Sequence, residues 1–286
     1  MVMLWFLLWS FPITYVGGYL HHIANRLEEK GLHPKFSLEF GAKELPDTIS
    51  KAPLKDDMYL YSRYLRGLTG GLVVEIGSGD GFTSSYSFFF QHYANFTSLH
   101  VEGDESTYAR LKMVRPHSVN VHAVVCDERK RVHWGKAQKR RMRGILELMP
   151  LHFLKTHYPA ISTNPAGLQQ EDAVMCKPLS EVFKAVDLRH AHLLVLDVNG
   201  AEVAALKGMN HNTFNADVIS MPCTNAHKTT RGPSGRNAQN IFAVLEPVGY
   251  ACEVPTLGRC VCVSNEYKDS PIFRNVTALY AKAGQG

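Results

Sequence analysis

Three glycines at alternate positions, Gly77, Gly79 and Gly81, follow the apolar run Leu72-Val-Val-Glu-Ile76 and precede a segment of helical spacing from Thr83. Glycines after a strand permit a tight turn and let a ligand approach the backbone. Ser78 lies inside this turn and Glu75 just before it. A dinucleotide fingerprint would place its third glycine at position 82, which is Phe82, and the Gly-Lys-Ser/Thr of a P-loop is absent. Two more acids stand at strand ends. Glu102 closes His100-Val-Glu, 21 residues beyond Gly81, and Asp127 closes Val124-Val-Cys-Asp. A carboxylate ending the second strand of such a unit accepts hydrogen bonds from two ribose hydroxyls. Singly, each acid reads as a solvated strand end. Together with the glycine loop they point to a nucleotide-like ligand.

The elements that must hold these residues alternate. Strands are expected at 72–76, 98–102, 119–126, 193–198, 218–221, 250–254 and 259–264, and helices at 83–93, 106–114, 179–186, 202–208 and 238–247. Apolar strands separated by helical segments predict an α/β fold, a Rossmann-like, doubly wound, mostly parallel seven-stranded sheet. The last two strands, close together around Gly258, predict a C-terminal antiparallel hairpin. Residues 57–286 form the expected domain. The stretch 127–176 interrupts its rhythm as an insertion, and a connection of that length beginning at a strand's C-terminal end suits a substrate-binding role.

Residues 1–20 carry no charged side chain and just reach the length of a membrane helix, so a signal peptide or signal anchor is expected there. A buried N-terminal helix is the bland alternative. Residues 21–56, polar and broken by Pro34, Pro46 and Pro53, read as a stem or lead-in. The sequons Asn95-Phe-Thr97 and Asn275-Val-Thr277 fit a lumenal or secreted domain in the secretory pathway, a glycoprotein rather than a cytoplasmic protein. Six scattered cysteines are too few for a disulfide scaffold, and Cys260-x-Cys262 suggests core packing, although in a secreted chain one or two of them could pair. No cluster has metal-ligand spacing. The net charge of +5 is local, since eight of the 31 Lys and Arg lie between Arg129 and Arg143 with no acid among them. That run suits a phosphate or sulfated glycan, or is simply a solvated basic face. It lacks stacking aromatics beyond Trp134, which makes nucleic acid the weaker expectation.

Several stretches in order resemble the FkbM-type methyltransferase family. They are Glu75-Ile-Gly-Ser-Gly-Asp-Gly-Phe-Thr-Ser-Ser85, His100-Val-Glu-Gly-Asp104, Asn120–Asp127, Gly144-Ile-Leu-Glu-Leu-Met149, Cys176-Lys-Pro-Leu-Ser180 and Leu194-Val-Leu-Asp-Val-Asn-Gly-Ala-Glu202. The resemblance implies transfer of a methyl group from S-adenosyl-L-methionine (SAM) to a hydroxyl of a glycan or other small acceptor. It also implies a cofactor pocket of Glu75, Gly77, Ser78, Gly79, Gly81, Glu102 and Asp127, with Asp127 near the adenine amino group. An alcohol must lose its proton as the new bond forms. Asp197 is the first candidate for acceptor positioning or base, with His152 in the insertion as the alternative. One departure bears on turnover: the family usually has Glu where this chain has Asn199, which cannot ionise. A SAM- or partner-binding member without turnover is therefore the competing expectation.

Overall fold

The computed structural model describes residues 49–137, 142–163, 173–223, 236–256 and 258–283. The expected leader at 1–20 and most of the lead-in lie outside the described residues. The elements, in chain order, are α1 (Asp56–Leu60), a π-helical turn (Tyr61–Leu65), β1 (Leu72–Ile76), α2 (Ser87–His92), β2 (Thr97–Glu102), α3 (Glu105–Val114) and β3 (Val119–His122). Then come β4 (Val124–Cys126), β5 (Lys130–Gly135), β6 (Gly144–Ile145), α4 (Leu151–His157), α5 (Pro159–Thr163), β7 (Ala173–Pro178) and α6 (Leu179–Ala185). The chain continues through β8 (His190–Leu196), α7 (Glu202–Lys207), β9 (Asn215–Pro222), α8 (Arg236–Leu245), β10 (Tyr250–Thr256), β11 (Arg259–Ser264), α9 (Asn265–Asp269) and α10 (Pro271–Ala283).

Seven strands form one sheet in the order β10-β11-β9-β8-β1-β2-β3. Counted along the chain within this sheet, the order is 3-2-1-4-5-7-6. This is the doubly wound arrangement 3-2-1-4-5-6 with one strand, β11, slotted in antiparallel to both neighbours. The expected fold class is observed. Side-chain alternation explains why both faces are apolar. Val73, Leu193, Val195, Val218, Val261 and Val263 point to one side, where they pack with Tyr61, Tyr64, Phe89, Phe90 and Phe96. Their neighbours Val74, Ile76, Leu194, Leu196 and Ile219 are buried as well.

The expected strand 119–126 is two strands. β3 pairs with β2, and at Ala123 the chain leaves the main sheet so that β4 can pair with β7. The insertion is a folded unit: a four-stranded sheet in the order β4-β7-β5-β6. Val124, Cys126, Val132, Ile145 and Cys176 form its core. The basic run is divided accordingly. Arg129 pairs with Glu181, Lys130 with Asp127 at 2.6 Å, and Arg143 with Asp104 at 2.7 Å. These three cations do not form a free basic face.

The expectation for the cysteines is corrected. All six pair: Cys126 with Cys176, Cys223 with Cys260, and Cys252 with Cys262. The bonds span 10 to 50 residues of sequence; two join neighbouring strands and the third joins Cys223, just past β9, to β11, proximities that the folded register creates. After denaturation without reductant, a thiol-alkylating reagent is expected to add nothing to the intact mass, and six labels after reduction. Label taken up before reduction contradicts the pairing. Replacing Cys126 and Cys176 together by alanine should cost about 2–4 kcal/mol in urea unfolding.

Candidate functional site

At the C-terminal ends of β1, β2 and β8 lies a cavity of about 1100 Å³, walled on its far side by the smaller sheet. Open α/β sheets bind ligands at this end. The position falls where strand order reverses, between β1 and β8.

The glycine loop forms its floor. Gly77 and Ser78 donate backbone N–H bonds to the Val101 carbonyl at 2.8 and 3.2 Å. A Cβ on Gly77 would lie 2.0 Å from the Asp197 carbonyl, and φ is +82° there, so the turn can pass between β1 and β8 only without a side chain. Gly79, at φ +57°, has nothing among the described residues within 4 Å of the position its Cβ would take. Its backbone faces open space in the cavity wall.

Glu75 has a different task from the one expected. It does not line the cavity. Its carboxylate, 2% exposed, accepts from the Ser85 hydroxyl (2.9 Å), the Tyr86 N–H (2.9 Å), and the Ser87 N–H (3.2 Å) and hydroxyl (2.5 Å). Burial pushes its pKa up, opposed by these four donors. A strand residue thus caps α2 from within the core. The helix therefore begins at Ser87 rather than Thr83. Upstream, the Asp80 carboxylate folds back on the Phe82 and Thr83 N–H groups, and Ser84 sits at φ +61°.

Glu102 meets its expected position. At the end of β2 it lines the cavity, accepting the Gly79 N–H at 2.8 Å and the Asp104 N–H at 2.7 Å. Burial raises its pKa to about 7 despite those bonds. Trp134 of β5 lies against Gly103, and its indole N–H is buried without a partner among the described residues. Asp127, expected near the adenine amino group, is not among the residues lining this cavity and is ion-paired with Lys130 at 2.6 Å. Ala123, Val124 and Val125 stand at the wall in its place. Gly81 is also set back, packed on Leu111 and Arg115.

Asp197, just past β8, lines the cavity. The adjoining turn is held from two sides. Glu202, buried with its pKa raised to about 7 by burial and by Asp197, accepts from the Val198 N–H at 3.1 Å and the Gly200 N–H at 3.3 Å. Asn199, at φ +52°, donates from Nδ2 to the Arg143 carbonyl at 2.8 Å. Arg143 in turn holds Asp104, the N-cap of α3. Although burial opposes it, the hydrogen bonds from Ser106, Thr107 and Arg143 keep the Asp104 carboxyl well below the usual range. His152 is exposed on α4 and is not among the residues lining the cavity. Among the described residues no group of His, Cys, Asp and Glu could hold a metal.

Among the lining residues that sequence reasoning does not assign to the site are Asp56, Tyr86, Arg143 and Arg259. Asp56, like Pro53 and Leu54, belongs to the end of the segment read as lead-in. The signal for Arg259 was a charged residue opening the apolar strand Arg-Cys-Val-Cys-Val.

No protein-family model matches the chain, and no curated protein matches it. Solved structures align loosely. Fibrillarin from Aeropyrum pernix, in complex with natively bound S-adenosyl-L-methionine, is 11% identical over 72% of this chain and 74% of its own, with a TM-score of 0.39. Methyltransferase FkbM from Methylobacillus flagellatus is 12% identical over 71% of this chain, at a TM-score of 0.39. The match spans 47% of that protein's length. A methyltransferase from Pyrococcus furiosus is 13% identical over 87% of this chain and 98% of its own, with a TM-score of 0.36. Likenesses this distant carry nothing about chemistry, which must be argued from the cavity.

Because the folded pKa of Glu102 is raised, the folded state holds its proton above pH 4.5, where the unfolded chain releases it. This group therefore favours folding less and less as pH climbs from about 4.5 through 7. Relative to Glu102→Gln, the unliganded wild type should lose up to roughly 3 kcal/mol of stability between pH 5 and 8. Parallel urea titrations across that range measure it, and a gap that does not change with pH contradicts the shift.

Proposed function

We propose that the chain is a SAM-dependent O-methyltransferase of the FkbM type, acting on a hydroxyl of a glycan or another small hydroxyl compound. The observation that carries this reading is the Glu102 carboxylate, at the end of β2, facing the cavity beside the open backbone of Gly79. A buried acceptor next to a side-chain-free turn suits a nucleoside whose ribose has two vicinal hydroxyls. The cavity is ample for a nucleoside and an acceptor together. Sheet order and the antiparallel strand β11 agree with the doubly wound sheet and C-terminal hairpin expected from the alternation of elements.

In this reading Gly77, Ser78, Gly79 and Glu102 hold the donor, and Trp134 and Val124 flank its base. SAM supplies an electrophilic methyl group on a sulfonium, released as a thioether. Asp197 orients the acceptor hydroxyl and takes its proton as the oxygen–carbon bond forms. Ile76, Val101, Ala123, Val125 and Ile145 add apolar surface to the lining.

A second reading has one observation in its favour. Asn199 uses its amide N–H on the Arg143 carbonyl, a bond that a glutamate could not donate. If the family's acid is needed for turnover, the chain binds SAM and a partner without transferring methyl. Calorimetry with S-adenosylhomocysteine is expected to show binding that falls about 10- to 100-fold in Glu102→Ala. An absence of binding at millimolar ligand sinks the first reading and the second together. Labelled-methyl transfer to a panel of sugars and glycans then separates the two. Asp197→Asn should lower transfer by about 100-fold or more with the same ligand affinity.

We also propose a lumenal or secreted domain in the secretory pathway. Three disulfides that use every cysteine suit an oxidising compartment. Asn95 and Asn275 are both exposed, as acceptors of N-glycans must be. Among the described residues no helix is long and apolar enough to cross a membrane; the anchor or leader we propose is the 1–20 segment. Glycosidase treatment of the protein from secretory cells should increase its mobility, and Asn95→Gln with Asn275→Gln should abolish the shift. Mobility unchanged by the enzyme contradicts lumenal passage.

A further inference from the structure

Arg259 is 3% exposed and lines the cavity. Its guanidinium carbon lies 4.2 Å from the centroid of the Tyr86 ring, which fixes the plane of the group. Nε and Nη2, which together form one edge of the guanidinium, have no hydrogen-bond partner among the described residues. Asp56 lines the same cavity and approaches Nε only to 3.6 Å, an ion pair without a hydrogen bond. No donor among the described residues is hydrogen-bonded to its carboxylate. Two donors and a carboxylate thus face each other short of partners, a cost that a bound group would offset.

Sheet order places this pair beyond the reach expected of a methyl donor. Glu102 ends β2 and Asp197 follows β8, two strands away, while Arg259 opens β11, two strands further in the same direction. At about 4.8 Å per strand, the Arg259 backbone stands roughly 19 Å from that of Glu102. A donor whose ribose is held at Glu102 uses its length in bringing the methyl group to Asp197. What lies past Asp197 therefore meets the molecule that receives the methyl group. Pro222 pairs with Arg259 there, and Leu54, 85% exposed, lines the cavity two residues before Asp56.

Arg259 and Asp56 together carry no net charge. An anion on the guanidinium edge would sit against the Asp56 carboxylate. Two neighbouring hydroxyls satisfy both sides: their oxygens accept from Nε and Nη2, and one O–H donates to Asp56. We propose that Arg259 and Asp56 recognise a vicinal diol on a neutral acceptor sugar. This rests on the methyl-transfer reading above and narrows its acceptor class.

The probes are methyl glycosides of glucose, galactose, mannose and xylose, their monodeoxy analogues, and the glycosides of glucuronic and galacturonic acid. Each is titrated into the full chain saturated with S-adenosylhomocysteine, with the melting temperature as readout. At least one neutral glycoside is expected to bind, and removal of one hydroxyl of its vicinal pair to weaken it about 10-fold or more. That comparison needs no variant. Arg259→Lys, which keeps the charge but loses the two-donor edge, and Asp56→Asn should both erase the difference. Both should bind S-adenosylhomocysteine as the wild type does. Binding of the uronic acids alone, of no glycoside, or of deoxy analogues equally well overturns the proposal. So do variants that still discriminate, or that lose S-adenosylhomocysteine instead, which would assign the pair to the donor. Wild-type protein that binds no S-adenosylhomocysteine brings down the methyl-transfer reading itself, and this proposal with it.

Discussion

The glycine turn, the start of α2 and the cavity floor all hang on one buried carboxylate. Glu75 sits in the central strand of the sheet and collects four donors from Ser85, Tyr86 and Ser87. Arg115 stands behind them, donating from Nε to the Gly81 carbonyl at 2.7 Å and from Nη2 to both serine hydroxyls. A charge this deep is tolerable only when its lone pairs are filled, and the donors are equally dependent on it. The network therefore fixes where residues 76–81 must run. Asp80 and the Glu102–Gly79 bond then finish the turn from its solvent side.

The upper wall depends on a second chain of contacts. Asp104 caps α3 and binds Arg143, whose backbone carbonyl receives the Asn199 amide, while Glu202 holds the same turn from below. The end of β8 is thereby tied to the small sheet, and the end of β2 to both. Side chains that touch no ligand in this arrangement determine the distance between the walls that would.

Much of this was legible from sequence. The run Leu72–Ile76 and the final strand 259–264 were bounded correctly because apolar β-rich segments flanked by glycine leave few alternatives. The place of Glu102 at the end of β2 and in the cavity lining is legible because an acid closing the strand after a glycine loop has a simple chemical reason to stand there. The failures have physical causes as well. Glu75 was given to the ligand because strand periodicity does not reveal which way a buried acid faces its helix. Asp127 was misplaced by reading 119–126 as one strand, when Ala123 turns the chain out of the sheet. The small sheet was hidden because Lys130 and Arg131 obscure the alternation of β5, and its partner β7 lies some 40 residues on. The Cys126–Cys176 and Cys223–Cys260 bonds and the placement of Arg259 depend on contacts between segments distant in sequence, which local pattern cannot supply, whereas Cys252–Cys262 lies within the expected hairpin and depends on its register.

The break at Ala123 sets a parity condition on the two sheets. On one side of it Val121 pairs with Val101 in the large sheet; on the other, Val124 and Cys126 face the core of the small one. Side chains alternate with a period of two, so adding or deleting a single residue between them would leave one sheet intact and turn the other inside out. Cys126 would then point away from Cys176, and Val124 away from its core. Descent in this chain should therefore tolerate substitution near Ala123 far more readily than any change in length.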